Sequence, residues 1–175
     1  MGRDMPKGLK QTSGQIVISQ SVLESAPATF TQETVDLQLN VLDREVFVVT
    51  ALDIDVGSPN AIAGTDTSMQ CSVSNTSRTT IGTIGDSNVI GSALSQIRAA
   101  GFVDGGVGFM QQHPEAPTGS DLEYIAIIST NDFFVQVEGV NNIAAQTCRV
   151  RMWGYRATAD AATFAALTQS ELLSA

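Results

Sequence analysis

The sequence predicts a mostly-β, antiparallel domain with a short internal helix and a C-terminal helix. Three observations predict it: apolar and polar residues alternate in several segments, no strand–helix alternation recurs, and the last segment changes to helical spacing. At 175 residues the chain has the length of one ordinary domain. A domain of this size buries roughly 70% of its unfolded surface, so one core suffices.

The strands are predicted where residues alternate with a period of two or where an apolar run is bounded by turn residues. The segments with these patterns are 35–40, 45–56, 68–74, 79–84, 122–129, 133–140 and 147–155. The turn Thr130-Asn131-Asp132 is typical of a hairpin, so the last three segments are expected to be adjacent antiparallel strands. Antiparallel strands are therefore the dominant predicted element.

Two segments have helical spacing instead. Residues 88–100 place Ile90, Leu94 and Ile97 at intervals of three and four, which predicts the short internal helix. Residues 160–173 place Phe164, Leu167 and one of the leucines at 172–173 on about one face, which predicts the terminal amphipathic helix. The resulting division is an N-terminal arm (1–14), a β-domain (15–158) and a C-terminal helix (159–175).

The charge is strongly acidic and unevenly distributed. The chain has 9 basic and 18 acidic residues, a net charge of −9, but residues 1–14 contain three basic residues and one acid. An acidic body repels phosphate backbones, so no strong nucleic-acid binding is expected. No run of 18 apolar residues occurs, and no transmembrane helix or secretory signal is expected.

Residues with catalytic or metal-binding chemistry are sparse. His113 is the single histidine, and no CxxC, HxH, GxSxG or phosphate-loop pattern is present. We therefore predict no catalytic, cofactor or metal site, and a protein that is not an enzyme.

Three smaller features leave alternatives open. Asp53 and Asp55 share one face of a strand, which indicates an exposed acidic face, with weak calcium binding as the alternative. Cys71 and Cys148 fit two small buried apolar residues better than a disulfide, which a domain this large does not require. Trp153, Tyr155 and Arg151 fit a core or interface position better than a sugar-stacking patch.

Three segments carry a likeness to a known family: Glu45 to Asp55, Asp132 to Glu138, and Cys148 to Arg156 leading into the helix. The pattern resembles the single jelly-roll capsid proteins of icosahedral viruses, of the small major capsid protein type. The resemblance implies a β-sandwich of two facing four-stranded sheets whose arms and loops contact other subunits in a closed shell. It implies a virion location, assembly in the host cytoplasm, and copies of the chain and other virion proteins as partners.

The arm departs from many such shells because it is weakly basic and not arginine-rich. Direct genome binding is therefore in doubt, and two other shells fit better: one with an internal membrane that the arm contacts, or one whose genome is neutralised by other components. The long glycine-rich segment 101–120, with Pro114 and Pro117, is predicted to be an interface loop. The predicted interface residues are Met5, Phe102, Val107, Phe109, Met110 and Phe164.

Two alternatives remain at this point. One is a phage decoration, spike or tail-tip receptor-binding protein. The other is a carbohydrate-binding β-sandwich that uses Trp153, Tyr155 and the 101–120 segment.

Overall fold

The computed structural model describes residues 5–101, 108–113 and 122–175; for Phe109, Gln112 and His113 it describes the backbone alone. The strands are Leu9–Gln11 (β1), Ile16–Leu23 (β2), Thr31–Asp36 (β3), Glu45–Val56 (β4), Thr67–Ser74 (β5), Val89–Arg98 (β6), Phe109–His113 (β7), Ala126–Ile128 (β8), Asp132–Val140 (β9) and Thr147–Ala159 (β10). A single turn of 3-10 helix covers Val41–Asp43, and the α-helix α1 covers Ala161–Leu173. Within the described residues, no helix is long and apolar enough to cross a membrane.

The strands form two five-stranded antiparallel sheets. In sheet A, β10 lies between β4 and an edge formed by β1 and β2, and β8 lies on the far side of β4. In sheet B the order is β3-β9-β5-β6-β7. The two sheets pack face to face as a sandwich, as predicted, and each has one strand more than the four that the resemblance implies.

The strand order is that of a jelly roll. When β1 and β7 are set aside, the remaining strands pair first with last, second with second-last and so on inward: β2–β10, β3–β9, β4–β8 and β5–β6. Such nested pairing is one long hairpin rolled into two sheets, the double-sheet arrangement of jelly rolls. The predicted fold class is confirmed.

The main core lies between the sheets. Its largest fully buried side chains include Phe47, Leu52, Met69, Phe133 and Met152. Alternate residues of β4, β5, β9 and β10 supply most of it, because successive side chains of a strand point to opposite faces.

A second, smaller cluster lies on the outer face of sheet A. It consists of Val46, Val48, Ala157 and Ala159, and it is covered by Met5 and Leu9 of the arm and Phe164 and Leu167 of α1. A β-bulge at Thr50 limits it, because β4 pairs Ala51 with Trp153 but Val49 with Gly154. Because of the extra residue, the even-numbered side chains of β4 point outward before the bulge and the odd-numbered ones after it. The outward residues therefore change from valines to Asp53 and Asp55.

Helix α1 crosses the outer face of sheet A from the edge strand β1 to the end of β8. At its start, Asp160 caps the Thr163 amide (2.7 Å) and donates its own amide to the Gly8 carbonyl (2.9 Å). At its end, the buried Glu171 accepts hydrogen bonds from the Ser129 and Thr130 amides (2.8 and 2.9 Å). The inward positions are therefore Phe164, Leu167 and Glu171, and the prediction that Leu172 or Leu173 faces inward is wrong.

Three further sequence predictions are wrong. Residues 88–100 are not a helix but contain β6, and residues 79–84 form no strand. In β6 the buried residues are the small Gly91, Ala93 and Ser95, and the large Leu94 lies on the other face, so the strand shows no clear apolar alternation. Strands β8 and β9 form no hairpin and β9 is not adjacent to β10, because the chain passes between sheets at both turns.

The two cysteines are paired, contrary to the favoured interpretation of two unpaired apolar residues. Cys71 of β5 and Cys148 of β10 form a disulfide with an S–S distance of 2.23 Å. The bond joins sheet B to sheet A through the middle of the core.

Candidate assembly surfaces

The outer face of sheet A carries a ladder of opposite charges beyond the second cluster. Asp53 lies opposite Arg151 and Asp55 opposite Arg149 on neighbouring strands, with an Arg149–Asp55 ion pair of 3.4 Å. Together with Ser19 these side chains line a shallow groove of about 400 Å³. Within the described residues no group of three or more potential metal ligands occurs, and each aspartate has a guanidinium group opposite it.

The aromatic residues considered for sugar binding are separated by their surroundings. Tyr155 packs against the second cluster under α1, whereas Trp153 lies beside Arg151, whose guanidinium carbon is 6.0 Å from the ring centroid. Neither ring lines the groove, which gives little platform there for stacking on a sugar.

The six predicted interface residues occupy three kinds of position. Met5 and Phe164 are half-buried on the second cluster of their own chain, where the arm and α1 cover sheet A. Met110 is 49% exposed on the edge strand β7. Phe102, Val107 and the Phe109 side chain lie outside the described residues.

Each end of the sandwich carries large exposed apolar side chains, and the first end lies at the C-terminus of α1. This end, which we call the helix end, consists of loops 37–44, 75–88 and 129–131 and the C-terminus of α1. Asn131 binds the Leu37 and Leu39 amides, and Ser174 and Ala175 line a cavity of about 500 Å³ with the 75–88 loop. Its exposed apolar residues are Val41 (55%), Leu42 (94%), Leu172 (65%) and Leu173 (79%), whereas Ile84 (85%) of the 75–88 loop lies beside Gln70 and Leu94 of sheet B.

At the opposite end, which we call the Glu24 end, hydrogen bonds hold the loops together. It consists of loops 24–30, 57–66 and 141–146 together with residues 99–101 at the end of β6. The buried Glu24 accepts hydrogen bonds from the amides of Gly139 (2.6 Å), Thr29 (3.2 Å) and Gln146 (2.9 Å). Its exposed apolar residues are Leu23 (56%), Val140 (44%) and Ile143 (75%).

Two aspartates fix loops at these ends, and both have lowered pKa values. Hydrogen bonds from the Ala100 and Ala99 amides hold the pKa of Asp66 below its ordinary value of 3.8, with Arg98 adding to the effect. At the helix end, the Thr83 amide and the charge of Arg78 lower the pKa of Asp86. Both ends are therefore defined surfaces, with carboxylates binding loop amides.

Sequence reasoning did not identify the exposed residues at either end. Leu42, Ile84 and Ile143 each lie within a turn, next to asparagine, aspartate or glycine. A large apolar residue in such a turn is the signal that was available, because it is unlike the polar residues that solvated turns usually carry.

Comparison with known proteins gives no family. No family model and no curated protein sequence match the chain. Among solved structures, it is similar to one from Desmodium yellow mottle tymovirus, at 14% identity and a TM-score of 0.33, over 89% of this chain and 93% of that one. The jelly-roll assignment rests on the strand order described above and not on this likeness.

Proposed function

We propose that the chain is a non-enzymatic structural subunit of a virus particle that assembles with copies of itself into a closed shell. The observation that supports this best is the presence of exposed apolar side chains at both ends of a jelly-roll body. Leu42 and Leu173 at the helix end and Ile143 at the Glu24 end are each at least 75% exposed.

These positions suit a subunit because the ends are distinct surfaces on one body. The outer face of sheet A is occupied by α1 and the charge ladder, and part of sheet B is covered by the 75–88 loop, whose Gly82 amide donates a hydrogen bond to the Ser72 hydroxyl (3.0 Å). Different apolar surfaces at opposite ends favour head-to-tail contacts, which form closed assemblies when the rotation between subunits closes. Viral shells are one of the roles that jelly rolls serve, beside lectins and cupins.

The acidic body fits a shell that does not bind its genome directly. The subunit has a net charge of −9 and three basic residues in the arm, so it repels a polyanion such as the genome. Either other virion components neutralise the genome, or a membrane contacted by the arm separates the genome from the shell. We place the protein in the virion, after assembly in the host cytoplasm. A decoration or tail-tip protein would use the same surfaces without closing a shell.

The test is the size of the assembled species. The full chain is purified and measured by analytical ultracentrifugation and negative-stain electron microscopy, and we expect hollow particles far larger than the 18.4 kDa chain. Leu42→Asp and Leu173→Asp should each reduce the assembled fraction at least about tenfold, because they place a charge in an apolar contact.

The matched control is Thr80→Asp, which adds the same charge at an exposed polar position of the helix end and should leave assembly unchanged. A monomer at every concentration, with binding to immobilised glycans, would contradict the proposal and favour the carbohydrate-binding alternative.

A further inference from the structure

The edge strand β2 differs from the other sheet edges. Among the described residues, β8 has three residues, β7 has five, and β3 carries Glu33 and Asp36. Strand β2 has eight residues, Ile-Val-Ile-Ser-Gln-Ser-Val-Leu, without a charge or a proline. Proteins usually protect a long edge with such residues, because its unpaired backbone groups can bind another strand.

The hydrogen-bond pattern shows which backbone groups of β2 have no partner strand among the described residues. Glu24 donates its amide to Gln146 (3.0 Å) in the register that continues through β2 and β10, so the even-numbered residues of β2 bond to β10. The bond from Gly57 to Thr147 (3.1 Å) agrees, because it assigns the odd-numbered residues of β10 to β4. The N–H and C=O groups of the odd-numbered residues 17–23 therefore point away from the sheet.

The sequence of β2 is nearly symmetric about its fifth residue, Gln20. Reading outward, Ser19 matches Ser21, Ile18 matches Val22, and Val17 matches Leu23. We infer that β2 pairs antiparallel with β2 of a second copy about a two-fold axis at Gln20, joining two A sheets into one.

This register satisfies both the backbone and the side chains. Val17 lies opposite Leu23 of the second copy and Ser19 opposite its Ser21, all at odd positions, so their outward groups form about eight hydrogen bonds. Opposite residues lie on the same face, and the two side chains that meet are 52% and 56% exposed in the single subunit. A shift by two residues in either direction places Val17 opposite a serine and loses this match.

On the outer face of sheet A, charge does not oppose the contact; on the inner face, the Gln20 side chain at the axis donates a hydrogen bond to Glu33 of its own β3 (2.6 Å). Arg149 and Arg151 lie on β10, so the arginines of the two copies are three strand spacings apart, about 14 Å. That distance exceeds the Debye length of about 8 Å at physiological salt, and each arginine also has an aspartate opposite it on β4.

The inference deepens the proposed function, on which it rests for its role as a contact within the shell. Its test is disulfide trapping with two single variants, Ser19→Cys and Ser21→Cys. In an antiparallel pair the opposite Cα atoms lie about 5.5 Å apart, within disulfide range. An equal mixture of the two variants should cross-link under mild oxidation, whereas each variant alone should not, because like positions are more than about 7 Å apart. The native cysteines are paired with each other.

The two single variants also determine the register in which the two β2 strands pair. Cross-linking of Ser19→Cys with itself, or of Ser21→Cys with itself, would overturn the Gln20 axis, and absence of cross-linking in the mixture would overturn the contact.

A charge test is independent of oxidation. Ser19→Asp/Ser21→Asp places like charges opposite each other and should weaken the dimer at least about tenfold, whereas Ser19→Lys/Ser21→Asp should restore it.

The outcomes separate this inference from the proposed function. Shells that form without cross-linking in the mixture would overturn the β2 contact and support the subunit role. A cross-linked dimer that never forms larger particles would support the contact and contradict the shell.

Discussion

At the scale of single residues, two buried carboxylates connect elements that are distant in the sequence. Glu24 binds amides of the β2–β3 loop, β9 and the β9–β10 turn, and Glu171 binds the β8–β9 turn from the end of α1. Neither was predictable, since glutamates are usually exposed and the partners are backbone amides without a sequence signature. Each carboxylate is stabilised because backbone amides donate the hydrogen bonds that water would otherwise supply.

We expect Glu24→Gln to destabilise the fold by about 1.5–3 kcal/mol, the usual worth of a hydrogen bond to a charged group. The amide keeps the shape but turns one acceptor oxygen into a donor that faces backbone N–H groups. Urea unfolding followed by circular dichroism measures the change. Glu123→Gln, at an exposed position, is the control and should have little effect; equal stability of both variants would contradict the role assigned to Glu24.

Asp66 predicts a pH dependence. Because its folded pKa lies below the unfolded value near 3.8, its contribution is fully present above that value and is lost as the pH falls through the folded pKa. Asp66→Asn should therefore lower the melting temperature at pH 7 and make less difference toward pH 2. Melting curves across this range measure it, and a difference that grows on acidification would contradict the assignment.

At the scale of secondary-structure elements, the sequence indicated those whose alternation is strong. Strands β4, β5, β9 and β10 and helix α1 lie close to their predicted ranges, because each presents one apolar face to a core. The pattern failed for β6, whose core face consists of small residues, and for β2, which was not predicted. Leu37 and Leu39 are buried as their spacing suggested, but Gln38 has a φ of 53° and lies beyond β3.

The pairing of elements was harder to predict than their existence. A turn such as Thr130-Asn131-Asp132 is the same whether the chain returns along one sheet or crosses to the other, and only tertiary packing decides between them. The disulfide was missed for the same reason: Cys71 and Cys148 are 77 positions apart and meet because β5 and β10 face each other across the core.

The disulfide should contribute to stability mainly by restricting the unfolded chain. For a loop of 77 residues the chain-entropy relation gives about 4–5 kcal/mol. We expect Cys71→Ala/Cys148→Ala to unfold at markedly lower urea concentration than the oxidised protein. Reduced wild-type protein is the control and should resemble the variant; thiol titration of the unfolded, unreduced protein should find no free thiol, and two free thiols would contradict the pairing.

At the scale of the whole molecule, the N-terminal arm belongs partly to the body. Residues 9–11 form β1 on β10, and Met5 and Leu9 cover the second cluster with Phe164. The sequence suggested a segment outside the strands, because three residues are too few to show alternation. Deleting residues 1–14 would therefore uncover Val46 and Val48 besides removing the basic charges, so the arm's part in assembly is better tested by substitution of Lys7 and Lys10.

The net charge of the subunit predicts how assembly depends on salt. Each copy carries −9, and apolar contacts at the two ends must overcome this mutual repulsion when copies meet. Salt screens repulsion between exposed charges, with a Debye length that falls from about 10 Å at 0.1 M to about 3 Å at 1 M. Raising sodium chloride over this range should therefore increase the assembled fraction measured by sedimentation, and lowering the pH toward the isoelectric point near 4.3 should do the same.

Nuclease-treated particles are the control and should sediment unchanged. Particles that instead dissociate at high salt would be held by attraction between charges, as in a shell bound to nucleic acid, and would contradict contacts made by the apolar ends.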